Sequence, residues 1–343
     1  WEWPWKSVRR GGPTAGRVGD CPWWSDVHNG HMASRRKFLV ALSTLAAGMA
    51  GGGLLAPRWA AARDGIAMRT IPSSGEAIPA IGLGSWITFD VAARQDRRRS
   101  AEVMKAFFDL GGAMIDSSPM YGMAQEVIGE ALQGLEDDAK LFSATKVWIT
   151  GDERGRWQTG ESMRLWGVDA LDVLHVHNMA DWRTHLEWMR AWQVEGRLRY
   201  IGITTSHGRR HRAMEEVIRG QPFDFVQFTY NLHDREAERR LLPLSADHGR
   251  AVVINRPFEG GALFRRVAGQ PLPSWATDID CATWSQFFLK FVVSHPAVTC
   301  AIPATSRVDH LRENMAALRG PMPDASMRRE MARYFDSVSG RRG

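Results

Sequence analysis

The stretch Ala113-Met114-Ile115-Asp116-Ser117-Ser118-Pro119-Met120-Tyr121-Gly122 sets the pattern on which the rest of this chain is interpreted. It opens as a short apolar run, reaches a carboxylate at Asp116, turns through Ser-Ser-Pro and presents Tyr121. Two later runs end in the same way, 141–146 at Lys146 and 171–177 at His177. Three consecutive strand-like runs thus each place an ionisable group at the carboxyl end, where a proton-transfer site can use it.

Strand-like and helix-like segments alternate on both sides of that stretch. Apolar runs typical of strands recur at 81–85, 114–117, 141–146, 171–177, 200–204, 225–230, 251–255 and 300–303. Segments with the helical period lie between or after them, at 101–110, 124–135, 160–165, 182–194, 212–218, 237–246, 284–293 and 308–318. This alternation predicts a parallel sheet with helical crossovers, and the eight repeats favour a closed barrel.

Two elements flank the repeats. Residues 68–79 predict a β-hairpin that turns at Pro72-Ser73-Ser74-Gly75, and 327–335 predict a final helix over the outside or mouth of the barrel. We therefore expect an α/β fold, a single (β/α)8 TIM-type barrel over 64–343, with no linker and no second domain. An open doubly wound sheet is the alternative, but no G-x-G-x-x-G opens a helix after a strand. Gly82-Leu83-Gly84 is a partial match, interpreted as a strand end that a bulky group approaches.

The excess of positive over negative charge lies within the first 63 residues. They hold nine Lys/Arg and three Asp/Glu, so they carry the whole formal net charge of +6. The remainder is balanced, which argues against a nucleic-acid-binding face. Within the leader, Ser34-Arg35-Arg36-Lys37-Phe38-Leu39 has the twin-arginine pattern, followed by a short apolar run and Ala60-Ala61-Ala62. The pattern predicts a signal peptide that the twin-arginine translocation machinery recognises, and hence a periplasmic or exported protein.

Other interpretations of the leader stay open. A cytoplasmic protein with an amphipathic tail is the alternative, and the apolar run is too short and too rich in Gly and Ala for a stable membrane span. The segment before Met32 lacks periodicity and can be explained by a start codon placed too early. The three cysteines, Cys21, Cys281 and Cys300, form no C-x-x-C pair, so the sequence indicates neither a metal site nor a disulfide framework.

From about residue 71 to 318 the chain resembles the aldo/keto reductase superfamily, NAD(P)H-dependent carbonyl reductases built on an eight-fold β/α barrel. The tetrad of that superfamily falls on Asp116, Tyr121, Lys146 and His177. The resemblance implies reduction of an aldehyde or ketone by hydride transfer, with Tyr121 as the general acid.

Each of the four residues would meet one chemical requirement of that reaction. A phenol has a pKa of about 10, so we expect Lys146 to lower the pKa of Tyr121. Asp116 would keep Lys146 charged, and His177 would donate a hydrogen bond to the substrate oxygen. Taken singly, each residue has an ordinary structural explanation as a turn, strand-end or core residue; in register they favour the functional one. His175 lies one layer deeper on the same face and is interpreted as structural.

The resemblance also implies the groups that hold the cofactor, with NADPH favoured and NADH possible. Thr204, Thr205 and Gln227 correspond to residues that bind the nicotinamide amide, whereas Asn255 stands where an aromatic residue often stacks on the ring. The other expected contacts are Gly84, Arg256, Phe258, Gly260, Thr305, Ser306, Arg307, His310, Glu313 and Asn314. Of these, Arg256 and Gly260 are assigned to the pyrophosphate, and Thr305, Ser306 and Arg307 to a 2′-phosphate.

Three tryptophans that follow strands, Trp86, Trp148 and Trp182, are expected to wall a mouth for apolar carbonyl substrates, with packing under loops as the alternative. Two other functions remain possible on the same barrel: a Schiff-base aldolase using Lys146, or a non-catalytic subunit that senses a nucleotide. Pairing of Lys146 with Asp116 argues against the aldolase, because its amine must lose its proton. The sequence leaves the physiological substrate and the oligomeric state open.

Overall fold

A computed structural model of the protein describes residues 65–135 and 141–340. The leader, with its twin-arginine pattern and the residues before Met32, lies outside this part. The described chain opens on a hairpin in which β1 (Met68–Thr70) pairs antiparallel with β2 (Ala77–Pro79). The predicted N-terminal hairpin is therefore confirmed.

Eight parallel strands form the main sheet. They are β3 (Leu83–Gly84), β4 (Met114–Asp116), β5 (Phe142–Val147), β6 (Leu171–Val176), β7 (Leu198–Thr204), β8 (Phe225–Thr229), β9 (Ala251–Asn255) and β10 (Cys300–Ala301), adjacent in chain order. The two ends of the sheet meet through bridges from Ile81 to Ala301 and from Gly84 to Ala304. This contact closes the sheet, and the predicted barrel is confirmed.

Helices surround the strands and end the chain. They are α1 (Arg94–Asp109), α2 (Ala124–Gln133), α3 (Asp152–Trp166), α4 (Trp182–Val194), α5 (His211–Gly220), α6 (Leu241–Asp247), α7 (Ala262–Arg266), α8 (Trp284–Val293), α9 (Val308–Ala316) and α10 (Ala325–Val338). Asp324 caps the amino terminus of α10, and its side chain accepts a hydrogen bond from the Met327 backbone amide over 2.8 Å. No helix in residues 65–135 or 141–340 has the length and apolar content that a membrane span requires.

Two apolar clusters hold the barrel together. The larger one lies between strands and helices, and a smaller one fills the lower barrel interior. In the interior, the rings of Phe142, Tyr200 and Phe225 contact one another, with centroids 5.4–6.2 Å apart. Because side chains alternate across each strand, the next inward positions up these strands form the layer that carries the polar groups.

The hairpin plugs the amino-terminal end of the barrel. Glu76 accepts hydrogen bonds from the hydroxyl of Tyr200 and from Arg199, over 2.5 Å in the latter case, and the same hydroxyl lies 2.7 Å from Ser74 Oγ. The guanidinium of Arg199 also reaches Asp172 on β6. Among the described residues, this network ties the hairpin to β6 and β7 at the amino-terminal end of the barrel.

One prediction needs correction, and one close contact adds to the description of the barrel seam. The third helix was expected over 160–165 but covers Asp152–Trp166, because its buried face uses Gly155, Thr159 and Ser162, which give no apolar period. At Gly84 a Cβ would lie 2.7 Å from the carbonyl oxygen of Ile302, and the cofactor contact expected of this glycine stays a prediction. The close neighbour is thus the backbone of the barrel's own last strand, and Gly84 is needed to close the sheet.

Candidate active site

Lys146 and Asp116 form a buried ion pair at the carboxyl ends of β5 and β4. The Lys146 ammonium contacts Oδ1 of Asp116 and donates a hydrogen bond to the Ser117 carbonyl over 2.8 Å. The other carboxylate oxygen, Oδ2, accepts a hydrogen bond from Gln227 Nε2 over 3.0 Å. The two charged side chains are only 1% and 2% exposed, so solvent does little to screen their attraction.

The pair keeps the amine charged. Burial alone would lower the pKa of Lys146, but the charge of Asp116, with a smaller contribution from Tyr121, raises it above the ordinary value. Lys146 is therefore an ammonium at neutral pH and presents a fixed positive charge to its neighbours.

Tyr121 reaches this ammonium from the loop after β4. A turn closed by the Tyr121 amide on the Ser118 carbonyl, over 2.9 Å, brings the ring back to the barrel, with its centroid 5.1 Å from Lys146 Nζ. Burial raises the pKa of Tyr121, and the nearby Lys146 offsets that only in part. Lys146 acts to lower the pKa of Tyr121, as expected, but the loss of hydration has the larger effect and the net pKa lies above the usual phenol value. The phenol therefore stays protonated at neutral pH.

His177 completes the cluster. It follows β6, and its ring meets the Tyr121 ring edge-on, with centroids 5.9 Å apart. Nδ1 of His177 lies 2.9 Å from the Ser118 hydroxyl oxygen. Burial, aided by the charge of Lys146, lowers the pKa of His177 to about 3, so the imidazole is neutral. The structure thus brings all four predicted tetrad residues into one cluster.

His175 is the partner of Lys146 in the pairing of β5 and β6, two residues before His177. It is fully buried against Phe225, and neither ring nitrogen has a hydrogen-bond partner in the described chain. Room for the ring comes from Gly202, where a Cβ would lie 2.4 Å from His175 Cδ2. Burial lowers its pKa well below the ordinary value. His175 is therefore a neutral packing residue of the barrel interior.

Several residues expected to bind the cofactor make hydrogen bonds within the protein. Thr204 Oγ1 accepts from the Asn178 amide over 3.0 Å, and Thr205 Oγ1 donates to the Arg209 carbonyl over 2.8 Å. The side-chain oxygen of Asn255 accepts a hydrogen bond from the Thr229 hydroxyl, and its side-chain nitrogen donates one to the Thr205 carbonyl. These bonds tie together the loops above β6 to β9, and the cofactor contacts of these residues stay predictions.

A cavity of about 440 Å³ lies beside the ends of β9 and β10. Among the residues around it are five of the expected cofactor residues, Phe258, Thr305, His310, Glu313 and Asn314. Four others that the sequence did not single out, Phe264, Thr283, Trp284 and Ser285, join them. Thr283 and Gln286 form a capping box at the start of α8. This motif can be seen in the sequence and is the signal that could have pointed to Thr283. The mixture of aromatic faces, hydroxyls and an acid-amide pair fits a nucleoside.

Four further residues that were expected to contact phosphate groups are not among those that line this cavity. Arg307 pairs with Asp309 on the surface, and with Ser306 both border a second cavity of about 270 Å³ next to α1. Arg256 and Gly260 lie in the loop after β9 with positive φ values of 52° and 62°. That loop thus has the backbone curvature from which anion-binding nests are built.

The three tryptophans separate into two groups. The Trp148 ring lies 6.4 Å from that of His177 and is 47% exposed, and Trp86 after β3 is 42% exposed. Trp182 instead packs its ring against Phe223 and beneath the guanidinium of Arg183. Trp182 has the packing role that was the alternative interpretation, whereas Trp148 lies beside the tetrad.

A closed parallel barrel whose ionisable side chains gather at the carboxyl-terminal ends of its strands has the architecture of the TIM-type barrel enzymes. The profile of the Aldo/keto reductase family matches residues 80–331, and the chain belongs to this family of NAD(P)-dependent oxidoreductases.

Known proteins similar to this chain agree with that membership. The methylglyoxal reductase YeaE of Escherichia coli (strain K12) is 26% identical over 265 residues, which cover 76% of this chain and 92% of the relative. Pyridoxine 4-dehydrogenase of the same organism is 28% identical over 248 residues, covering 65% and 82%. An aldo-keto reductase of Klebsiella pneumoniae solved with NADPH is 26% identical at a TM-score of 0.66, covering 79% of this chain and 96% of its own.

Proposed function

We propose that this protein reduces an aldehyde or ketone to the alcohol, with Tyr121 as the proton donor. The observation that carries the proposal is the placement of a protonated phenol against a buried ammonium, with a neutral imidazole edge-on to the same ring. Carbonyl reduction creates an alkoxide that must take up a proton, and a phenol that stays protonated at neutral pH is ready to supply it.

Each tetrad residue has its own part in this reaction. Lys146 stabilises the phenolate left when Tyr121 has given up its proton, since opposite charges attract strongly in a buried site. Asp116 holds the ammonium in place and keeps it charged, and Gln227 holds the carboxylate. His177 donates a hydrogen bond that orients the carbonyl oxygen.

NADPH would supply the hydride when bound. The acid-amide pair Glu313 and Asn314 suits the adenine, and the Trp284 and Phe258 faces suit stacking around a nucleoside. Arg307, at the start of α9, is the group proposed for a 2′-phosphate, because its exposed ion pair with Asp309 is weak enough to exchange. With Arg307 in this role, NADH, which has no 2′-phosphate, is accepted less readily than NADPH.

The test compares Tyr121→Phe with the unaltered protein on a panel of carbonyl substrates that starts with methylglyoxal, the substrate named for the relative YeaE. We expect kcat to fall by about 10²–10⁴-fold, the usual worth of a positioned acid, while fluorescence titration gives an unchanged Kd for NADPH. Full activity of the phenylalanine variant would refute the proposed acid.

The aldolase alternative requires an uncharged amine at Lys146. The buried carboxylate of Asp116 favours the ammonium instead, which counts against a Schiff base. Borohydride treatment in the presence of a carbonyl compound is therefore expected to leave Lys146 unmodified.

We also propose that the first 63 residues direct export through the twin-arginine machinery, on the strength of Arg35-Arg36 and the apolar run after them. Replacing both arginines with lysine should retain the protein in the cytoplasm of a bacterial host. An unchanged distribution between cell fractions would contradict the proposal.

A further inference from the structure

Ser118 is a buried residue at the active site, and the roles proposed for the tetrad leave its hydroxyl without a function. It lies in the loop between β4 and α2, and its Oγ is 2.9 Å from Nδ1 of His177. The same Oγ accepts a hydrogen bond from the Met120 amide over 3.2 Å. No other partner of this oxygen occurs in the part of the chain that the structure describes.

The direction of the hydrogen bond follows from these two contacts. A hydroxyl has one proton to donate, and a backbone amide can only donate. The Met120 amide therefore uses a lone pair of Ser118 Oγ, and the hydroxyl proton has Nδ1 as its one available acceptor. If Nδ1 were protonated, two donors would point at Oγ and the buried hydroxyl proton would have no acceptor, which is unfavourable.

We propose that Ser118 is a positioning residue, whose hydroxyl donates to Nδ1 of His177 and so fixes the tautomer that carries its proton on Nε2. Nε2 has no partner within residues 65–135 and 141–340, so it is free to donate to a substrate oxygen. This inference rests on the proposed carbonyl reduction, in which His177 must act as a donor.

Ser117 provides a matched comparison. Its hydroxyl is also buried and adjacent in sequence, but its Oγ has no hydrogen-bond partner in the described chain. Replacing it with alanine removes the same atoms and leaves the contact between Ser118 and His177 in place. The variants S117A and S118A therefore separate the loss of a hydroxyl from the loss of this particular bond.

The first measurement is made on the protein with Ser118 in place. Nitrogen-15 spectra of the histidine-labelled protein, with His177 assigned by comparison with His177→Gln, report which ring nitrogen is protonated. We expect His177 to show Nε2–H alone near neutral pH, and S117A to leave that signal unchanged. A protonated Nδ1 in the unaltered protein would overturn the proposal.

The second measurement compares S118A and S118T. In S118A we expect a mixture of the two tautomers, a fall in kcat of about ten-fold and an unchanged Kd for NADPH, since one hydrogen bond has roughly that worth. S118T keeps a hydroxyl and should restore both the spectrum and kcat. A pure Nε2–H signal with kcat within about two-fold in S118A would refute the role of Ser118. Full activity of Tyr121→Phe would instead refute the underlying function.

Discussion

Gln227 donates a hydrogen bond from Nε2 to Oδ2 of Asp116 over 3.0 Å, and this bond occupies the carboxylate oxygen that Lys146 leaves free. Residues on three different strands thus hold one another in place beneath the phenol. From the sequence, Gln227 was expected to bind the cofactor or to fill the barrel interior as a polar residue; in the structure its side-chain nitrogen holds Asp116 of the tetrad. The ammonium therefore depends on a residue from the far side of the barrel.

Replacing Gln227 with leucine should destabilise the protein. The buried Oδ2 of Asp116 would lose its donor, at a cost of about 1–3 kcal/mol in the free energy of unfolding. Urea denaturation measures the change. Gln133→Leu, at an exposed position on α2, is the control and should change stability by less than about 0.5 kcal/mol. Equal effects of the two substitutions would show that the bond to Asp116 contributes nothing.

The pH dependence of kcat should lack an inflection between pH 5 and 8. His177, with a pKa of about 3, stays neutral through this range, and burial raises the pKa of Tyr121 above the ordinary phenol value. Activity is expected to fall only at high pH, where Tyr121 loses the proton that it must donate. Steady-state kinetics at saturating substrate provide the measurement, and an inflection near pH 6–7 would mean that an imidazole titrates in the reaction.

Arg307→Ala should weaken the binding of NADPH by about ten-fold and leave that of NADH unchanged, because a charge-assisted hydrogen bond to phosphate would be lost. Fluorescence titration with both dinucleotides gives the two affinities. Asp309→Asn, which releases Arg307 from its ion pair, should have the opposite effect on NADPH. An unaltered NADPH affinity in Arg307→Ala would remove the phosphate assignment.

Lys290→Met should lower the free energy of unfolding by about 3 kcal/mol, because buried carbonyl groups would lose their donor. The Lys290 ammonium donates to the carbonyls of Ile279, Arg319 and Pro321 over 2.5, 2.6 and 3.0 Å. It thereby joins α8 to the segments before and after it. Lys105→Met, in an exposed pair with Asp109, is the control and should have little effect. Thermal and chemical denaturation of both variants test the difference.

Periodic features of the sequence were sufficient to predict the barrel and to identify the four tetrad residues. Asp116, Lys146 and His177 each end an apolar run, and in a parallel sheet such ends meet at one rim. The full length of α3 escaped prediction because small residues form its buried face. The hydrogen bonds of Asn255 and Ser118 escaped it because they join loops that are distant in sequence. The net rise in the pKa of Tyr121 escaped it because burial, which outweighs the effect of Lys146, is a property of the folded chain.

The seam between β3 and β10 has a consequence for synthesis on the ribosome. Gly82 and Gly84 donate to the carbonyls of Ala301 and Pro303, so the first barrel strand finds its last neighbour only after more than two hundred further residues have been added. Until then one edge of the growing sheet has unpaired backbone groups and invites wrong partners. A nascent chain that stalls before Cys300 should accordingly be a target for chaperones and proteases, however complete its first seven strands.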